Sequence, residues 1–310
     1  MAEGTTDDPL PAAEDDAVPA WAAVVITFES GDLLLGAVDS LLADASAGVP
    51  EIVVVDNGST DGSVARLRAS RPSVRVVEPD RNLGYAAGAN AGIVYTRAPV
   101  VVVCNADLVA RAGTAATVLE RFASEPGIAA VGPRVVDVHG VTYPSARAQP
   151  AIADAVGHAL LGAWRPDNRF TRRYHQRGID PSTGRDVDWV SGAAIWLRRS
   201  ALDSIGGWDE AYFMYVEDVD LCWRLRRAGW RVAYEPRGLV THVQGASTAL
   251  RPLRMIVEHH RSWYRFADRR WEGPRRLLLV PVAAFLALRA ALLVVLEALP
   301  VAARRRRAAR

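Results

Sequence analysis

Lysine is absent from this 310-residue chain, and all 37 basic side chains are arginine. A guanidinium set suits bidentate recognition of phosphate, and a GC-rich genome produces the same composition. The missing lysines argue against a sugar nucleotidyltransferase, which would be expected to line its triphosphate site with a Gly-rich loop and lysines. Cysteine is nearly absent as well. Cys104 ends an apolar run and Cys222 sits in a helical pattern, a spacing that makes neither a metal cluster nor a disulfide framework. Both are expected to be reduced core residues of a cytosolic protein. No Gly-x-Gly-x-x-Gly turn follows the first apolar strand, where Thr27-Phe28-Glu29-Ser30 stands instead, so a dinucleotide-dependent oxidoreductase is disfavoured.

Bases are missing from the first twenty residues, which carry six acids among Ala and Pro. That stretch has no basic start or apolar core of a signal peptide and is expected to be disordered. The other end reverses the sign. From Arg251 onward there are fourteen arginines against four acids, although the whole chain has a net charge of only +2. A basic end points to an anionic partner, a membrane surface or a nucleic acid. No groove-reading motif precedes it, so nucleic acid is not the expected partner. Leu277 to Leu299 is very apolar but is interrupted by Pro281, Arg289 and Glu297. The interruption at Arg289 predicts two shorter pieces lying in or re-entering the interface, with a full span as the alternative. The expected location is the cytoplasmic face of the membrane.

Half the residues are hydrophobic, enough for a sizeable core. Apolar runs at Ala23–Thr27, Glu51–Val55, Val74–Val77, Val100–Cys104 and Ile128–Val131 read as strands. Helical spacing over Leu33–Ala45, Ser63–Ser70, Tyr85–Thr96 and Thr114–Ser124 falls between them. This alternation predicts an α/β fold with a mostly parallel, Rossmann-like sheet. One catalytic domain is expected over 21–250, with a donor half to about 135 and an acceptor half beyond it. Residues 1–20 and the helical tail 251–310 are extensions.

In such sheets ligands bind beyond the carboxyl ends of the strands, where free backbone N–H groups and polar loops gather. Asn105-Ala106-Asp107 follows the fourth strand, and Asp107 is a candidate ligand for a hard divalent cation, although taken alone it reads first as a helix cap. Asp56-Asn57-Gly58-Ser59-Thr60-Asp61-Gly62 offers acceptors for the imide N–H of a pyrimidine base, or simply a polar turn. Glu217-Asp218-Val219-Asp220 places three acids in four residues, where one carboxylate can serve as a general base. Acids at a helix start also favour the macrodipole. His242 follows an apparent strand from Arg231 to Glu235 and is a candidate metal ligand or a structural histidine.

Taken together with Asn82-Leu83-Gly84-Tyr85-Ala86-Ala87-Gly88-Ala89-Asn90 and Gly206-Gly207-Trp208-Asp209, these motifs resemble the inverting family-two glycosyltransferases, and their rhamnosyltransferase branch most. The resemblance runs from about Ala23 to Thr248 and implies the GT-A fold. It implies that Thr27, Asp56, Asn57, Asp61, Gly84, Asn90 and Asn105 face the donor nucleotide sugar. Asp107 and His242 would hold Mg²⁺ or Mn²⁺ with the diphosphate. Asp218 would be the catalytic base, and Trp189, Ser191, Gly192, Trp208, Asp209, Glu217 and Asp220 would line the sugar and acceptor region.

The tail from His259-His260-Arg261-Ser262-Trp263-Tyr264-Arg265-Phe266 resembles that of the actinobacterial cell-wall members of this branch. The implied donor is dTDP-L-rhamnose, and the implied acceptor a polyprenyl-diphosphate-linked N-acetylglucosamine. Two positions depart from the family pattern: Glu29 stands where Asn is usual, and Asn-Ala-Asp replaces a motif with two flanking acids. The Gln-x-x-Arg-Trp motif of processive synthases is missing, which implies one sugar per encounter. The alternatives are transfer of galactofuranose or a hexose to a related glycolipid, and an inactive membrane-associated binding protein.

Overall fold

The computed structural model describes residues 18–44, 46–148, 161, 165, 167–174, 180–243 and 252–308. The acidic segment up to residue 17, Ala45, and Gln244 and Gly245 of the histidine motif lie outside the described residues.

In chain order the first half runs β1 (Trp21–Thr27), α1 (Leu33–Ala43), β2 (Glu51–Asp56), α2 (Ser63–Ser70), β3 (Arg75–Val77), α3 (Gly84–Ile93), β4 (Val100–Asn105), β5 (Leu108–Ala110), α4 (Thr114–Ser124) and β6 (Ile128–Val136). β1 is buried along its whole length, as an apolar run covered on both faces should be. Its even positions Ala22, Val24 and Ile26 face one core with Tyr85 and Ala89, and its odd positions Trp21, Ala23 and Val25 face the other with Leu34 and Val118. α1 supplies its share through Leu34, Ala37, Val38 and Leu41, the spacing of one helical face.

The second half continues through β7 (Thr142–Tyr143), β8 (Ala146–Arg147), α5 (Arg169–Tyr174), β9 (Arg185–Asp186), β10 (Trp189–Val190), β11 (Ala194–Arg198), α6 (Arg199–Ser204), α7 (Glu217–Arg227) and β12 (Arg231–His242). The main sheet has the order β3-β2-β1-β4-β11-β6-β12-β5, so one sheet spans the two expected halves. β3, β2, β1 and β4 are parallel, as the alternation predicts. β6, however, is not beside β4, because β11 inserts antiparallel between them and burial packs its Ile195 and Leu197. The sequence reading has no strand there.

Three boundaries also move. The helix expected to reach Thr96 stops at Ile93, where the Tyr95 and Thr96 N–H groups bond three residues back to Gly92 and Ile93. β6 extends to Val136. β12 does not stop at Glu235 but passes an irregularity near Pro236 and continues to His242, pairing with β6 and then β5.

Two helices close the chain, α8 (Pro252–Arg270) and, after a 3-10 turn over Gly273–Leu278, α9 (Leu279–Ala308). The two expected apolar pieces are one continuous helix. Arg289 does not split it, because its guanidinium donates to His260 Nε2 on α8 at 2.7 Å. Gly273–Ala298 is long and apolar enough to cross a membrane by length and composition, and only 6% of its apolar 18-residue stretch is buried.

Candidate active site

The carboxyl ends of β1, β2 and β4 lie side by side because their registers pair Thr27 with Asp56 and Ile26 with Asn105. The backbone continues this stitching past the strands, with Asn57 N–H bonded to Thr27 O at 2.9 Å and Ala106 N–H to Ile26 O at 3.1 Å. Beyond these ends opens a cleft of about 500 Å³, with Thr27, Asn57, Asn105 and Asp107 on its β1-β2-β4 side.

Asp56 and Asp61 stand behind that wall. Asp56 is 2% exposed and accepts from the Ser59 N–H and hydroxyl, and burial raises its pKa. Asp61 accepts from the Gly31 N–H at 2.7 Å and from the Ser63 N–H and hydroxyl at the start of α2. Glu29 accepts from the Thr60 N–H and hydroxyl, both at 2.9 Å. These acids hold the two loops together, so Glu29 serves as a staple in this chain.

Asp107 and His242 meet although 135 positions apart, because β12 pairs His242 with Leu108. Asp107 Oδ1 lies 2.9 Å from His242 Nε2, yet it has no hydrogen-bond partner among the described residues. With the Asn105 amide as donor at 3.1 Å, Nε2 is an acceptor, an assignment in which two lone pairs face each other. A cation satisfies that arrangement. Ligand bonds of about 2.1 Å place neighbouring oxygen and nitrogen ligands about 3 Å apart, and Mg²⁺-type sites draw their other ligands from substrate phosphates and water. No group of three or more His, Cys, Asp or Glu suited to a metal occurs among the described residues. The pair therefore fits a cation shared with a diphosphate, not a closed protein cage.

The facing wall starts from a strained turn. Tyr215 and Val216 both have φ of +67°, a conformation that costs non-glycine residues on the order of 1–2 kcal/mol. The turn directs Glu217 and Asp218 from the first turn of α7 into the cleft. It is anchored by the Ser262 hydroxyl on Met214 O at 3.0 Å. Asp218 Oδ2 accepts from Gly192 N–H at 2.9 Å and Oδ1 from Val219 N–H at 2.8 Å. Burial raises the Asp218 pKa, while those hydrogen bonds and the Arg147 charge oppose the rise. Glu217 is 8% exposed, its Oε2 has no partner among the described residues, and burial followed by the Asp218 charge pushes its pKa well above the usual range.

Of the other expected residues, Trp189, Ser191 and Gly192 line the cleft, but Asp56, Asp61, Gly84, Asn90, Trp208, Asp209 and Asp220 do not. Asp220 is fully buried in an ion pair with Arg224 at 2.7 Å, and Asp209 pairs with Arg269. Asn90 holds the backbone N–H and carbonyl of Trp208, both at 3.0 Å, and Trp208 packs edge-on against Tyr85. Gly84, at φ +81°, allows Phe213 O to approach within 2.1 Å of where a Cβ would sit. These residues brace the cleft from behind, because their polar groups are taken up by neighbouring loops and arginines.

Several lining residues have no site role in the motif reading, although Tyr85, His259 and Trp263 stand within its motifs. Arg147 is buried, donates to Pro144 O and Tyr143 Oη, and stacks 5.0 Å from the Trp189 ring. Tyr85 donates its hydroxyl to Gly192 O. Arg254, Met255, His259 and Trp263 reach the cleft from α8. The one available signal was the Arg-, His- and Trp-rich composition of the segments around them.

The chain matches the family described as "Glycosyltransferase like family 2" over residues 19–265. It is 36% identical over 268 residues to the N-acetylglucosaminyl-diphospho-decaprenol L-rhamnosyltransferase of Mycobacterium tuberculosis (strain ATCC 25618 / H37Rv), covering 82% of this chain and 87% of that one. A pre-mycofactocin glycosyltransferase of the same organism is 32% identical over 62% of this chain and 37% of its own. Among solved structures, a mannosyltransferase from Pyrobaculum calidifontis in complex with GDP-Man and Mn²⁺ aligns with TM-score 0.55 at 20% identity, covering 96% of this chain and 78% of that one. GalNAc-T7 with UDP, GalNAc and Mn²⁺ aligns with TM-score 0.53 at 14% identity over 72% of this chain, which spans 43% of that longer protein.

Proposed function

The chain belongs to glycosyltransferase family 2, and from that premise we propose that it transfers L-rhamnose from dTDP-L-rhamnose to a polyprenyl-diphosphate-linked N-acetylglucosamine, with inversion at the anomeric carbon. The observation that carries the mechanism is one cleft holding Asp218 on one wall and the Asp107–His242 pair on the other.

Asp218 is the base that takes the proton of the acceptor hydroxyl as its oxygen attacks the anomeric carbon and the nucleotide diphosphate leaves. A carboxylate whose pKa is raised by burial is a better base near neutral pH than an exposed one. The Gly192 N–H fixes Oδ2, so the carboxylate is oriented before substrate arrives. Thr27, Asn57 and Asn105 bind the donor, and Asp107 with His242 would hold a Mg²⁺ or Mn²⁺ on its diphosphate. That cation supplies charge neutralisation at the leaving group. Trp189, Ser191 and Gly192 border the sugar and acceptor.

The exposed apolar face of α9 supports membrane association at the face where the lipid acceptor presents its diphosphate. The test is transfer of labelled rhamnose from dTDP-L-rhamnose to N-acetylglucosaminyl diphospho-polyprenol by the purified chain with membranes, with and without EDTA. EDTA-sensitive product supports donor, acceptor and cation together. Product only with another nucleotide sugar overturns the rhamnose reading.

A further inference from the structure

The cleft wall supplied by α8 has no role in the transfer described above, and it includes His259. Trp263 Nε1–H donates to His259 Nε2 at 3.2 Å, so Nε2 is an acceptor and the ring's proton sits on Nδ1. No acceptor for that Nδ1–H occurs among the described hydrogen bonds. Burial, then the neighbouring His260 and Arg289, push His259 down to about 4, so the ring is neutral near pH 7. Tyr215, the first residue of the strained turn before Glu217 and Asp218, packs edge-on against the ring at 5.3 Å. His259 is thus an uncharged, single-donor group in the same cleft as the carboxylates.

The next residue ties it to the apolar helix. His260 is 5% exposed, and its Nδ1 donates to Ile256 O at 2.7 Å, which leaves Nε2 to accept from Arg289 at 2.7 Å. The two imidazoles contact edge-on at 5.4 Å. A guanidinium inside an apolar helix is costly unless it is paired, and it invites a functional reading.

We propose that His259 is an acceptor-binding residue whose Nδ1–H donates to an oxygen of the acceptor's diphospho-N-acetylglucosamine head, and that Arg289 is a positioning residue that holds it there through His260. The proposal rests on the acceptor reading above. It makes α9 part of the acceptor site, so that the helix proposed to meet the membrane also sets the wall that meets the lipid-linked sugar.

The test measures binding of the full chain to anionic phospholipid vesicles that are plain, doped with polyprenyl diphosphate, or doped with N-acetylglucosaminyl diphospho-polyprenol. Wild type should prefer the acceptor-doped vesicles to the plain ones, and His259→Ala should lose about tenfold of that preference, the worth of one hydrogen bond to a polar ligand. Equal preference for the two doped vesicles assigns the bond to a diphosphate oxygen, and a preference confined to the third assigns it to the sugar. His259→Asn, whose amide N–H replaces Nδ1–H, should retain the preference, and His259→Gln should not. Arg289→Ala should raise the acceptor KM while leaving donor KM and binding to plain vesicles unchanged, with Arg289→Lys restoring it. An unchanged preference in His259→Ala, or Asn and Gln variants that behave alike, overturns this proposal while leaving the acceptor reading intact. Absence of any preference in wild type overturns both.

Discussion

The two walls of the cleft are built in different ways. On the β1-β2-β4 side, parallel strands end in register, and short polar loops bond to one another within about thirty residues of sequence, as in Gly31 to Asp61 and Thr60 to Glu29. The facing wall gathers Arg147, Gly192, Asp218 and His259 from four separate segments. It is kept in shape by a strained turn and by ties across long stretches of chain, such as Ser262 to Met214 and Asn90 to Trp208. The first wall is regular secondary structure doing what strand ends do. The second is an assembly in which backbone strain is balanced by tertiary contacts, and burial there raises the Glu217 and Asp218 carboxyls and lowers the His259 imidazole.

After loss of the base itself, breaking the pair that joins the two halves should have the largest effect. His242→Ala or Asp107→Ala is expected to lower kcat on the order of 10²-fold, with weakened donor binding in titrations containing Mn²⁺. If the variants bind and turn over donor as wild type does, Asp107 and His242 belong to structure alone. Next comes the brace behind the second wall. Gly84→Ala meets Phe213 O and also loses a favourable positive φ, so it should destabilise the fold by about 3 kcal/mol, read as a lowered unfolding midpoint.

Smaller effects sharpen the electrostatics. Arg147 holds the Asp218 pKa down, so Arg147→Met lets it rise. Because the base must be ionised, the acidic limb of the kcat/KM profile should move to higher pH. Glu217 is smallest. Its folded-state pKa lies above the unfolded value, so its contribution to stability is present in acid and is lost as pH rises through the folded pKa. Glu217→Gln should therefore raise the melting midpoint at pH 8 by a few degrees and leave it unchanged near pH 4.

The same contrast explains what could be read before the structure. β1, β2, β4, α1 and α4 were legible because a period of two or of 3.6 and a turn residue are local signals. Asn57, Asn105, Asp107 and Asp218 were legible because each closes or opens such an element. β11 was not, since an apolar run gives no clue that it will insert antiparallel between β4 and β6. Asp220 and Asp209 looked like site acids because a motif does not reveal that Arg224 and Arg269 will neutralise them from behind. Arg289 looked like a break in the tail because its partner, His260, lies 29 positions away on another helix. Local chemistry identified the first wall, and packing decided the second.

The central claim is that Asp218, opposite the Asp107–His242 pair, is the base of the transfer. Its most direct test is Asp218→Asn measured in parallel for binding of dTDP-L-rhamnose and for transfer to the lipid acceptor. Asparagine keeps the size and the hydrogen-bond acceptor for Gly192 but cannot take the proton. Asp218→Asn should keep wild-type donor affinity with transfer reduced on the order of 10³-fold. Transfer within a few-fold of wild type would remove Asp218 from the role.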